Sequence, residues 1–102
     1  MKRKLYMSDS ARAELREILY KLKQLSRPFA AKLESQFRQR FQQLLTIPLL
    51  GRDRCEIIAG LRSIVVGDYL VLYVPTDEAI EISRIIHGSR NIPELIKRNL
   101  PH

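Results

Sequence analysis

The hydrophobic period changes once along this chain, and that change limits the folds open to it. Between Ala11 and Leu45 the large apolar residues recur in steps of three and four. Such spacing puts them on one face of a helix. From Leu61 onward the sequence is rich in β-branched and aromatic residues in short runs, which is the signature of strands. Ser8 or Ser10 offers an N-cap oxygen, and Asp9 and Glu14 place negative charge near the positive end of a helix. Ala11, Leu15, Ile18, Leu19, Leu22 and Leu25 supply its apolar stripe. The run Ser26-Arg27-Pro28 ends this helix near Leu25 and opens a second, because proline lacks the N–H that goes unpaired in a first turn anyway. Ala30, Leu33, Phe37, Phe41, Leu44 and Leu45 carry the second stripe until Ile47-Pro48 stops it. A join this short predicts an antiparallel helical hairpin.

Before the hairpin, residues 3 to 7 read as a short strand. After it, residues 49 to 60 have no sustained period, contain two glycines and the charged run Arg52-Asp53-Arg54, and read as a loop. Leu61 to Val66 and Tyr69 to Val74 flank Gly67-Asp68, a two-residue hairpin signal. Pro75 to Glu78 makes the next turn, and Ala79 to Ile86 is the third strand of a meander that Gly88 ends. The segment Asn91 to Ile96, with Pro93 near its start, reads as one helical turn. The expected architecture is α+β, a single domain over residues 1–102 in the order β-α-α-β-β-β, with the helical hairpin on one face of an antiparallel sheet. Leu15, Ile18, Leu22, Leu33, Phe37, Phe41 and Leu44 are the expected helical contribution to the core.

The formal net charge is +7, from 18 Lys and Arg against 11 Asp and Glu. Residues 1 to 54 carry 13 basic and 5 acidic side chains, and residues 55 to 102 carry 5 and 6. This balance favours acidic partners, whether nucleic acid, an acidic protein or a target that itself handles nucleic acid. No apolar run approaches the ~20 residues that cross a bilayer, and the basic start Met1 to Tyr6 is followed by no apolar region, so no membrane association and a cytoplasmic location are expected. Cys55 is the one cysteine, with no Cys or His cluster beside it, and reads as incidental. The four glycines are too far apart to cradle a phosphate, and with no Cys or His cluster in the chain neither a cofactor nor a metal is expected.

Candidates for chemistry are few. His87 and His102 are the only histidines, and no hydrolase triad is evident. What stands out is the set Arg62, Arg84, His87 and Arg90, in or beside the sheet. Alternation places Arg84 among Ile80, Ile82 and Ile86, so either it is paired with a carboxylate such as Glu56 or Glu81, or a bulge turns it out. His87 has two readings, an acid or base and a hydrogen-bonded residue at a strand end. Tyr69 and Tyr73, two apart, suit either base stacking or core packing, and packing explains them more simply.

Four blocks then form a known pattern: Pro48-Leu49-Leu50-Gly51-Arg52, Gly60-Leu61-Arg62-Ser63, Gly67-Asp68-Tyr69-Leu70-Val71-Leu72-Tyr73, and Ile80 through Arg84, His87 and Gly88 to Arg90 and Asn91. Together they resemble toxins of the RelE/ParE superfamily, and the ending His87-Gly88-Ser89-Arg90 is similar to that of the ParE branch. The resemblance implies the toxin half of a type II toxin-antitoxin pair, held by a small acidic ParD-like antitoxin. On the ParE side it implies a non-enzymatic protein that binds DNA gyrase and traps it on cleaved DNA, with Arg62, Arg84, His87 and Arg90 as contact candidates. On the RelE side it implies a ribosome-dependent mRNA endonuclease, for which Arg62, Arg84 and His87 are the catalytic candidates. No tyrosine follows the last strand, and Arg52 and Arg54 stand where RelE-like chains carry lysines; both departures favour the gyrase-binding alternative. A bare nucleic-acid-binding module is the third reading.

Overall fold

The computed structural model describes residues 3–88. Strand β1 (Lys4–Met7) leads into helices α1 (Asp9–Leu25) and α2 (Arg27–Thr46), followed by β2 (Arg52–Asp53), β3 (Arg62–Val66), β4 (Tyr69–Pro75) and β5 (Ala79–His87). The segment from Asn91 to Ile96, read from sequence as a helical turn, lies outside the described residues.

Both helices begin on serine. The Ser8 hydroxyl accepts from the Ala11 N–H at 3.0 Å, and Asp9 sits in the first turn. Ser26 serves both helices: its N–H donates to Leu22 O at 2.7 Å, closing α1, and its hydroxyl accepts from the Phe29 N–H at 3.3 Å, opening α2. A single residue therefore reverses the chain, with Pro28 in the first turn of α2. In the first meander hairpin Gly67 has φ of +58° and Asp68 does not share that sign, which is the geometry of a Gly-X turn. Thr76 closes the second: its hydroxyl accepts from Ala79 N–H at 3.0 Å.

The five strands form one sheet in the order β1-β5-β4-β3-β2. The meander is antiparallel as expected, with Arg62 opposite Tyr73 and Leu70 opposite Ile86. Two features are added to the sequence reading. Strand β1 pairs parallel to β5, Leu5 beside Ile80, so the sheet is mixed. The region expected to be all loop contains β2, which pairs with the start of β3 through Arg52 opposite Ser63. Two residues are too few to show a period, and only their partner defines them as a strand.

The main core lies between α2 and the sheet. Leu33, Phe37, Phe41 and Leu44 are buried against Ile64, Val71, Tyr73, Ile82 and Ile85. Helix α1 is different: only Ala11 is buried, whereas Leu15, Ile18 and Leu22 are half-buried. These three pack against the core as expected but are less buried than their counterparts on α2. The reason is position, since α1 packs between α2 and β5 and leaves one flank of its stripe over a groove. Beyond the sheet, a second cluster of Leu61, Leu70, Leu72 and Ile86, with Ile57 and Val74 against it, shows that β4 is buried on both faces. Its unbroken apolar run from Tyr69 to Val74 fits that position.

Candidate functional site

Strand β5 is irregular where it carries its arginine. Leu72 lies opposite Arg84 and Tyr73 opposite Ile82, so Ser83 is an extra residue in the ladder. A bulge of this kind re-aims the neighbouring side chains. Here it sends Arg84 toward α1, where its Nε donates to the Glu14 carboxylate at 3.0 and 2.9 Å and its Nη2 donates to Glu14 Oε2. Glu14 Oε1 also accepts from the backbone N–H of Ile85 at 3.0 Å. The two side chains are 13% and 23% exposed, so the pair is largely desolvated and its fork geometry is filled. Of the two readings of Arg84 the pairing holds, with Glu14 rather than Glu56 or Glu81 as the partner; a bulge is present too, but it turns the side chain toward α1 and not out. The signal was present in the sequence. Glu14 lies three residues after Ala11 and four before Ile18, so it is a carboxylate inside an apolar stripe that faces an arginine inside another.

Arg62 is engaged elsewhere. Its Nη1 donates to Gly51 O at 2.8 Å and to Leu49 O at 3.3 Å. Beside it the buried Tyr73 hydroxyl donates to Pro48 O at 2.8 Å and accepts from the Gly51 N–H at 2.8 Å. Burial pushes the Tyr73 phenol above its ordinary pKa, against the opposing pull of the Gly51 N–H and of Arg62 and Arg40. It stays protonated at neutral pH and acts as a fixed donor. Sequence reasoning placed Tyr73 in the core but missed this polar hub, whose hydrogen bonds span up to 25 residues.

His87 ends β5, exposed, edge-on to the Tyr69 ring at 5.7 Å, and Tyr69 in turn packs on Phe37 at 6.2 Å. Both tyrosines thus belong to packing. Arg62 lies across β4 from Ile82, and His87 is five residues further along β5. That separates the two by roughly 17 Å along the strand and about 10 Å across it. Arg62, Arg84 and His87 are not gathered around one point. Arg90 lies outside the described residues. Among those residues no group of His, Cys, Asp and Glu is arranged to hold a metal. Cys55 is exposed, and its thiol is pushed up first by a hydrogen bond to Asp53 and then by that carboxylate's charge, which disfavours the reactive thiolate.

A concavity of about 520 Å³ runs between α1 and β5. Ile18, Leu22 and Leu25 form one wall, Tyr69 and His87 the other, and the Glu14–Arg84 pair closes one part of it. It is an open groove of apolar side chains with the charged Glu17 and Lys21 among them, wide enough to receive the side chains of another segment.

Known proteins place this architecture. The family model of the ParE toxin of the type II toxin-antitoxin system parDE matches residues 5–92. Toxin ParE3 of Caulobacter vibrioides is 40% identical over 52 residues, a stretch that covers 51% of this chain and 52% of that protein. The match therefore spans about half the length of that curated relative. A solved structure described as the chromosomal ParDE TA system from P. aeruginosa has the same fold, with a TM-score of 0.69 at 20% identity over 84% of this chain and 96% of that one. With its helical hairpin, its mixed sheet and a family match that runs from β1 through β5, this chain belongs to the ParE toxin family.

Proposed function

We propose that this chain acts in the cytoplasm as a toxin that inhibits DNA gyrase by protein binding, and that a small acidic ParD-like antitoxin neutralises it. The observation that carries this reading is what the two interior arginines do. Arg84 is bound to Glu14 and Arg62 to two carbonyl oxygens, so both guanidinium groups hold the fold together. An endonuclease would need such groups converging on a phosphate. A binding protein needs surfaces instead, and the half-buried stripe of α1 supplies one. Leu15, Ile18 and Leu22 beside the groove fit the apolar side of an amphipathic helix, and the charge of +7 favours an acidic one. No helix among the described residues is long and apolar enough to cross a membrane.

Two assays run side by side test the reading. Purified chain added to a gyrase supercoiling reaction is expected to inhibit it and to accumulate cleaved plasmid. Added to translating ribosomes, it is expected to leave the mRNA intact. Codon-phased mRNA cuts with untouched gyrase would overturn the proposal in favour of the endonuclease. In that case His87→Ala should lower the cutting rate by ~10²- to 10⁴-fold if His87 moves the proton.

A further inference from the structure

The segment joining α2 to β2 is fixed from inside while its side chains point out. The Tyr73 hydroxyl binds Pro48 O and the Gly51 N–H, Arg62 binds the carbonyls of Leu49 and Gly51, and the Leu50 N–H donates to Ile47 O at 3.1 Å. Gly51 is seated so closely that a Cβ there would stand 2.6 Å from the Tyr73 hydroxyl and 2.7 Å from Ser63 O. On this frame Ile47 is 52% exposed, Leu49 64% and Leu50 41%. A connection alone is served by small polar residues. Three large aliphatic side chains on a held backbone offer apolar area to bury and little loop entropy to lose on binding. Arginines stand beside it: Arg52 ends the segment, Arg62 is bonded to its carbonyls, and Arg40 lies close enough to act on the Tyr73 phenol beneath it.

We propose that the loop from Ile47 to Arg52 is the surface through which this chain grips the protein it inhibits. This inference rests on the binding reading above and adds the residues that make the contact. The occupant is a protein surface with an apolar depression edged by carboxylates. Aliphatic side chains at the centre and arginines around them match the apolar core and polar rim of protein interfaces, whereas sequence-tolerant binding of nucleic acid uses flat rings for stacking. The loop shares no residue with the groove between α1 and β5. Target and antitoxin thus have separate primary contacts.

The test uses the full chain with Leu49→Asp and Leu50→Asp, both exposed positions, and reads growth arrest on induced expression, gyrase supercoiling and thermal melting. Each variant is expected to melt within about 3 °C of the parent. Each should need at least ~10-fold more protein for half-inhibition, the scale of losing one central contact, and should no longer arrest growth. Arg52→Glu keeps the apolar chains and is expected to weaken inhibition at low salt more than at high salt. Normal growth arrest by both aspartate variants would overturn the proposal, including the case in which the loop serves only the antitoxin. A parent chain that arrests growth without touching gyrase removes gyrase as the target, and growth arrest by the variants then decides the loop. A harmless parent chain defeats both.

Discussion

Helices α1 and α2 have nearly the same apolar spacing and are buried to different depths. In α2 the residues Ala30, Leu33, Phe37, Phe41 and Leu44 are all buried, whereas in α1 only Ala11 is. Periodicity identifies which face of a helix turns inward. How deeply that face sinks depends on what lies opposite. Helix α2 carries two phenylalanines, 6.0 Å apart, and contacts β3, β1 and β5, so its stripe is enclosed. Helix α1 carries no aromatic residue on its stripe and packs on α2 and β5, with the Glu14–Arg84 pair tying it to β5. One helix therefore builds the core, and the other pairs a polar anchor with a half-buried apolar margin.

The sharpest test of this contrast sets Phe37→Ala against Leu22→Ala. Truncating the buried phenylalanine is expected to cost ~3 to 5 kcal/mol, enough to threaten a domain of this size. Truncating the half-buried leucine should cost ~1 kcal/mol, since less than a full side chain's transfer free energy is lost. Chemical denaturation of both variants measures it, and equal losses would remove the distinction between the helices.

Next in size is the anchor of α1. Glu14→Ala leaves Arg84 largely buried without its carboxylate and the Ile85 N–H without its acceptor. Breaking fully buried pairs costs ~3 to 5 kcal/mol; with water reaching part of both side chains here, ~2 kcal/mol is expected. Glu14→Leu combined with Arg84→Met should recover much of that loss, because an apolar pair carries no desolvation cost. If the double variant is no better than the single one, the ion pair has a role beyond filling its place.

The smallest effect concerns the hub under the loop after α2. Tyr73→Phe keeps the ring and removes the bonds to Pro48 and Gly51, at an expected cost of ~1 to 2 kcal/mol. It also has a pH signature. Because burial raises the folded-state pKa of Tyr73 above that of the unfolded chain, its contribution is present in full below the unfolded value of ~10 and is lost as pH rises through the folded value. Stability of the parent chain should fall more steeply than that of Tyr73→Phe above about pH 10, as alkaline denaturation curves would show. Parallel curves would mean that Tyr73 ionises without penalty.

Much of the fold was legible in the sequence because its signals are local. Ser8 and Ser26 as caps, Pro28 in a first turn, Gly67 at positive φ and the run of β-branched residues from Ile64 to Val66 each act within a few residues of themselves. Those choices, with the two helical stripes, determined two helices in a hairpin and a three-stranded meander. The candidate residues were legible as chemical types, but their company was not. Which carboxylate meets Arg84 depends on the crossing of α1 over β5, 70 residues away, and on a bulge at Ser83 that no period announces. What Arg62 binds depends on how the chain turns after α2, and whether β2 is a strand at all depends on β3 lying beside it. The parallel pairing of β1 with β5 joins residues some 75 positions apart. Sequence alone determined the elements and the faces they turn inward, since backbone sterics and side-chain spacing act locally; tertiary structure decided burial depth, ion pairing and the loop's hold, since each depends on groups that only the folded chain brings within reach.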